Sequence, residues 1–106
     1  MDKNEAIEKI RTYCRLLQKS GISVDKAYLY GSYAHGNTHE YSDIDVMLVS
    51  KQFDSDDASS GIKAWSLTRN IDSRIEPYTV GLRRFQNDDV SPIIQIVKDQ
   101  GIEVMF

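Results

Sequence analysis

Asp43 and Asp45 stand one residue apart where a polar stretch gives way to an apolar run, 46–49. Strand residues alternate faces, so both carboxylates project to one side while Ile44, Val46 and Leu48 pack the other. Like charges that close raise each other's pKa and favour neutralisation unless a cation lies between them. A hard divalent ion such as magnesium meets that need, because it takes oxygen ligands from one or two carboxylates, waters and substrate phosphates. Upstream, Gly31-Ser32 closes another apolar run. Glycine lets backbone approach closely, and the Ser32 amide and hydroxyl can both donate to a phosphate. The chemistry these residues offer is that of a metal-plus-phosphate site.

The elements that must position them follow from periodicity. Asp2 followed by Glu5 reads as a capping box opening a helix over about 3–20. Its apolar stripe is Ala6, Ile10, Tyr13 and Leu17, flanked by Ile7 and Cys14, and Gly21 is its stop. The run 24–30 lacks polar alternation, which predicts a strand buried on both faces. A short helical segment over 33–35 and a polar loop over 36–42, at the rim of the site, lead to a second strand over 43–50. After an acidic, serine-rich approach, a helix over 59–68 is expected to turn Ile62, Trp65 and Leu67 to the core. The stretch 73–80 reads as a third strand in which Arg74, Glu76 and Tyr78 share a face. Pro77 cannot donate to a ladder, so this strand lies near an edge. The segment 81–87, with Arg83 and Arg84, reads as a loop. Ser91-Pro92 starts a last helix with Ile93, Ile94, Ile96 and Val97 on its apolar face, and Gly101 ends it before a closing strand over 102–106.

Composition narrows the function classes. A chain of 106 residues has room for one core, so a single domain over 1–106 is expected. With 41% hydrophobic and 27% charged residues, disorder is not the default. A net charge of −3 argues against an extended nucleic-acid surface, which needs a basic face. The lone cysteine, Cys14, cannot form an internal disulfide and reads as a packed thiol. No membrane span and no signal-peptide core are apparent, which places the protein in the cytoplasm, away from any membrane.

GSYAHG followed by SDIDVMLV, with Gly31-Ser32 and the Asp43/Asp45 pair between two strands, resembles the signature of the polymerase-β-like nucleotidyltransferase superfamily. It is similar to the small single-domain branch, the minimal nucleotidyltransferases. The resemblance implies an α+β fold, a small mixed sheet flanked by helices. It also implies two magnesium ions held by Asp43, Asp45 and a third carboxylate on a neighbouring strand. Glu76, in a family-like RIEP context, is chosen over Asp72, which sits in a turn where aspartate is structurally routine. Glu76 would hold the metal nearest the incoming hydroxyl and accept its proton. Gly31 and Ser32 would anchor a phosphate of ATP, with Gly31 making room for it. Relatives often carry arginine or lysine where His35 stands, so His35 either touches a phosphate or simply caps the loop, and His39 reads as a loop residue. A further cation is then sought among Lys63, Arg69, Arg74 and Arg83.

In function, the resemblance implies an adenylyltransferase moving AMP from ATP to a hydroxyl. The chain leaves no residues for an acceptor domain, so a partner protein is the expected acceptor. In the minimal branch that partner is a HEPN-domain toxin and the transferase is its antitoxin. The alternative is a non-catalytic, stoichiometric antitoxin or nucleotide-binding module of the same fold.

Overall fold

The structure is a computed structural model and describes residues 1–36, 42–55 and 57–106. Four strands form one mixed sheet in the order β3-β2-β1-β4, where β1 is Lys26–Tyr30, β2 is Ile44–Ser50, β3 is Ile75–Gly81 and β4 is Ile102–Glu103. β1 runs antiparallel to both β2 and β4, and β2 runs parallel to β3. Pro77 therefore lies on an edge strand, where a missing donor costs no ladder bond on the outer side.

Each face of the sheet has its own apolar layer. On one face, Ala27, Leu29, Ile44, Val46, Leu48 and Ile75 pack with α1 (Lys3–Lys19), α2 (Ser32–His35) and α3 (Ser59–Leu67). On the other, Met47, Val49 and Val80 pack with Phe85 of α4 (Leu82–Asn87) and with Ile94 and Val97 of α5 (Pro92–Gln100). Burying both faces explains why β1 and β2 read as apolar runs.

α1 begins as its cap predicts, with the Asp2 carboxylate accepting from the Glu5 amide at 2.8 Å. Gly21 follows its C-cap at φ +92°, a conformation that glycine adopts without steric cost. Cys14 is fully buried in α1, and burial pushes its thiol pKa up to about 12, as a packed thiol should behave.

Several elements differ from expectation. α3 turns Ala64 inward, fully buried, and leaves Ile62 67% and Trp65 50% exposed. The Tyr13 hydroxyl donates to the Ala64 carbonyl, so α1 and α3 approach closely at a small residue. With Ala64 and Thr68 on the inner face, positions 62 and 65 fall outside it. Trp65 is thus no core anchor. The second difference is α4, where a loop was expected. Leu82 and Phe85, one turn apart, give this short helix its apolar contacts, and Arg84 pairs with Asp88 across the next turn. Ile96 of α5 likewise stands 47% exposed rather than packed.

Candidate active site

The register of the sheet assembles the site. Tyr30 on β1 pairs with Asp45 on β2, and Asp45 pairs with Glu76 on β3. Residues directly opposite one another in adjacent strands share a face, so Tyr30, Asp45 and Glu76 form one row across three strands. The next row on that face is Tyr28, Met47 and Tyr78. That second row lies under the layer of α4 and α5, with Tyr28 stacked on Phe85 at 5.4 Å between centroids. The acidic row lies at the end of the sheet where β2 and β3 begin.

Asp43, one residue before β2, is exposed, and Asp45 is partly buried. The pKa of Asp45 is raised, first by burial, then by the charges of Asp43 and Glu76. Burial and the charges of Asp43 and Glu76 therefore penalise the ionisation of Asp45. The Tyr30 hydroxyl feels the same environment: burial, Asp45, Tyr78 and Glu76 push its pKa up to about 12. Sequence reading missed Tyr30, although its place just before Gly31-Ser32 is the signal that could have found it.

Gly31 holds φ +75°, and a Cβ added there would fall inside the Asp45 carboxylate. A glycine here therefore leaves the Asp45 carboxylate its position beneath the turn. Ser32 opens α2, half-buried, directly after that turn. His35 is the exposed last residue of α2. The rim loop lies outside the described residues over 37–41, and His39 with it.

Asp72, the competing third ligand, is turned elsewhere. It accepts from Arg74 at 2.8 Å and pairs with Lys9 of α1 at 3.0 Å. Those partners hold its carboxyl well below the usual carboxylate range. The expected cations are also dispersed. Arg74 is occupied by Asp72, and the Lys63 ammonium donates to the Ser20 carbonyl at the end of α1. Arg69 lies in the 3₁₀ turn Thr68–Asn70 after α3, and Arg83 lies on α4 beyond the far end of β3.

No three His, Cys, Asp or Glu side chains among the described residues form a group that could hold a metal ion unaided. Asp43, Asp45 and Glu76 instead make an open acidic row. An open row of hard oxygen donors suits magnesium, which keeps waters and shares its coordination with substrate phosphates, better than an ion needing a complete protein cage.

The comparisons with known proteins bear on this geometry. A family model described as "Nucleotidyltransferase domain" matches residues 7–104. The chain belongs to the nucleotidyltransferase domain family. None of the curated proteins matches it. Among solved structures, a Sulfolobus solfataricus protein, provisionally described as a nucleotidyltransferase, superposes with a TM-score of 0.66 at 14% identity, over 95% of this chain and 80% of that one. A toxin–antitoxin structure with AMP-PNP gives 0.61 at 27% identity, over 93% and 72%. A second toxin–antitoxin structure, MntA-HpeT carrying two aspartate-to-glutamate substitutions, gives 0.54 at 23% identity, over 99% and 73%. The nucleotidyltransferase fold thus extends over nearly the whole chain, and the GS turn and acidic row lie within the matched span. No helix among the described residues is long and apolar enough to cross a membrane.

Proposed function

We propose that this nucleotidyltransferase domain transfers AMP from ATP, with magnesium, to a hydroxyl of a partner protein, a HEPN-type toxin that it silences as an antitoxin. The observation that carries the reading is the row Asp45–Glu76, with Asp43 at its margin and Gly31 shaped around the Asp45 carboxylate. An Asp45 carboxylate whose pKa is raised by burial and by its acidic neighbours is a cost in the free protein, and a bound cation converts that cost into affinity. The likeness to a toxin–antitoxin structure containing AMP-PNP supports the partner and nucleotide classes.

In this reading Asp43, Asp45 and Glu76 would hold the magnesium ions, with Glu76 nearest the acceptor hydroxyl. When bound, the metal neutralises the triphosphate and eases ionisation of the acceptor hydroxyl. Ser32 donates to a non-transferred phosphate and fixes the triphosphate in line, which is most of what such chemistry asks of a protein. Glu76 accepts the acceptor's proton as its oxygen bonds to the α-phosphorus, and pyrophosphate leaves with the electrons of the broken bond. Tyr30 keeps its proton beside this row.

The test is to incubate the purified chain with Mg²⁺, labelled ATP and the product of the adjacent gene. Label should appear on the partner and disappear with Asp43→Asn or Glu76→Gln. A tight complex that never takes label would replace this reading with the stoichiometric one, which the exposed His35, in place of an arginine or lysine, favours.

A further inference from the structure

We infer that the acceptor reaches the active site along the edge of β3, and that Arg84 of α4, with Arg83 beside it, receives a carboxylate of the acceptor polypeptide further along that strand than its reactive hydroxyl. A concavity of about 450 Å³ opens against α4, lined by Asp54, Arg83, Arg84, Asn87 and Asp88. Its acidic groups already have partners within the fold. Asp54 accepts from the Arg83 amide at 3.1 and 3.2 Å. Asp88 accepts from the amides of Val90 and Ser91 at 2.9 and 2.8 Å, and from Arg84 at 3.3 Å. The Arg83 guanidinium has no ion pair among the described residues, so the concavity keeps donor capacity for an anion.

Its placement ties the concavity to the active site. Arg84 has the Tyr78 hydroxyl as a second polar neighbour, besides Asp88. Tyr78 lies on the same sheet face as Glu76, two residues along β3, a step of roughly 7 Å. β3 is the edge strand, and its side of the acidic row is the one away from Gly31-Ser32. A group lodged at Arg84 therefore lies on the acceptor side of Glu76, not on the phosphate side. The charge pattern favours a polypeptide: the chain carries net charge −3, and a polynucleotide track past three carboxylates would be repelled. A plain helix pair between Arg84 and Asp88 accounts for their contact alone and leaves Arg83 and the contact with Tyr78 unused.

The inference rests on the proposed transferase activity, and the experiment separates the two. Labelling of the partner by wild type, Arg84→Gln and Arg84→Lys is followed while partner and Mg·ATP concentrations are varied independently. Arg84→Gln should raise the KM for the partner roughly tenfold and steepen no dependence on ATP, because an interfacial charge acts on its own partner. Arg84→Lys should recover part of the loss, since it restores charge without the fork. An unchanged KM for the partner overturns the inference, and so does a weaker KM for Mg·ATP, which would move Arg84 to the nucleotide side. Stronger labelling of RNA than of protein by wild type would overturn it in favour of a polynucleotide acceptor. Failure of wild type to transfer label at all would defeat the proposed activity and this inference together.

Discussion

Asp45 and Asp72 are both aspartates near the start of a strand, yet their surroundings push them in opposite directions. Asp45, half-buried with Asp43 and Glu76 for neighbours, has a raised pKa. Above the ordinary carboxylate range the metal-free fold therefore carries a cost that vanishes on acidification, because a raised pKa in the folded state favours the protonated form. Asp45→Asn should remove transfer while leaving the metal-free protein as stable as wild type at pH 7 or more so, which thermal unfolding in EDTA measures. Asp72 is the reverse case, its pKa lowered by Arg74 and Lys9. Its contribution is present above the ordinary aspartate pKa and lost as pH falls through its lower folded value, below about pH 4. Asp72→Asn should cost about 1–3 kcal/mol at pH 7, by urea unfolding, and leave specific activity intact. Loss of transfer in the still-folded variant would reopen the choice of third carboxylate. That choice was legible in the sequence only through alternation and family resemblance, whereas Asp72 is occupied by its near neighbour Arg74 and by Lys9 of α1, far away in the chain.

At the scale of elements, the tight turn between β1 and α2 controls the site. Gly31→Ala puts a Cβ into the Asp45 carboxylate and forces a side chain into positive φ. The variant should lose roughly 1–3 kcal/mol of stability and most of its transfer activity, in unfolding and labelling assays respectively. The sequence marked Gly31 as a place needing space, but its closeness to the Asp45 carboxylate depends on the register of β1 against β2. α3 offers a contrasting prediction. With Trp65 half-exposed, Trp65→Ser should cost less than about 1 kcal/mol in chemical denaturation, whereas Ala64→Leu should cost more by overfilling the contact with Tyr13. Apolar type announced Trp65 and Ile62 as core, but a helix's rotation is decided by which neighbour it meets, and a small alanine at the α1 crossing won. α4 stayed hidden for a related reason: two apolar positions in a six-residue segment are too few to show a period.

For the whole molecule, the division into two apolar layers explains how a small chain can support an acidic site. The layer under α4 and α5 ends at Tyr28 and Tyr78, leaving the row of Tyr30, Asp45 and Glu76 beyond it, while α1, α2 and α3 hold the opposite face. The strand order was legible only in part. Pro77 pointed to an edge for β3 and the apolar runs pointed to two covered faces, but the parallel pairing of β2 with β3, which brings Glu76 beside Asp45, is a long-range fact. The proposed transfer requires that pairing to make a metal-dependent nucleotide site, and the most direct measurement is calorimetric titration of ATP into the protein with Mg²⁺ and with EDTA, for wild type and for Asp43→Asn/Asp45→Asn. Wild type should bind ATP at least tenfold more tightly with Mg²⁺, as expected when carboxylates and phosphates share one ion, and the double variant should lose that gain. Equal affinity with and without Mg²⁺, or a double variant that keeps the gain, would contradict it.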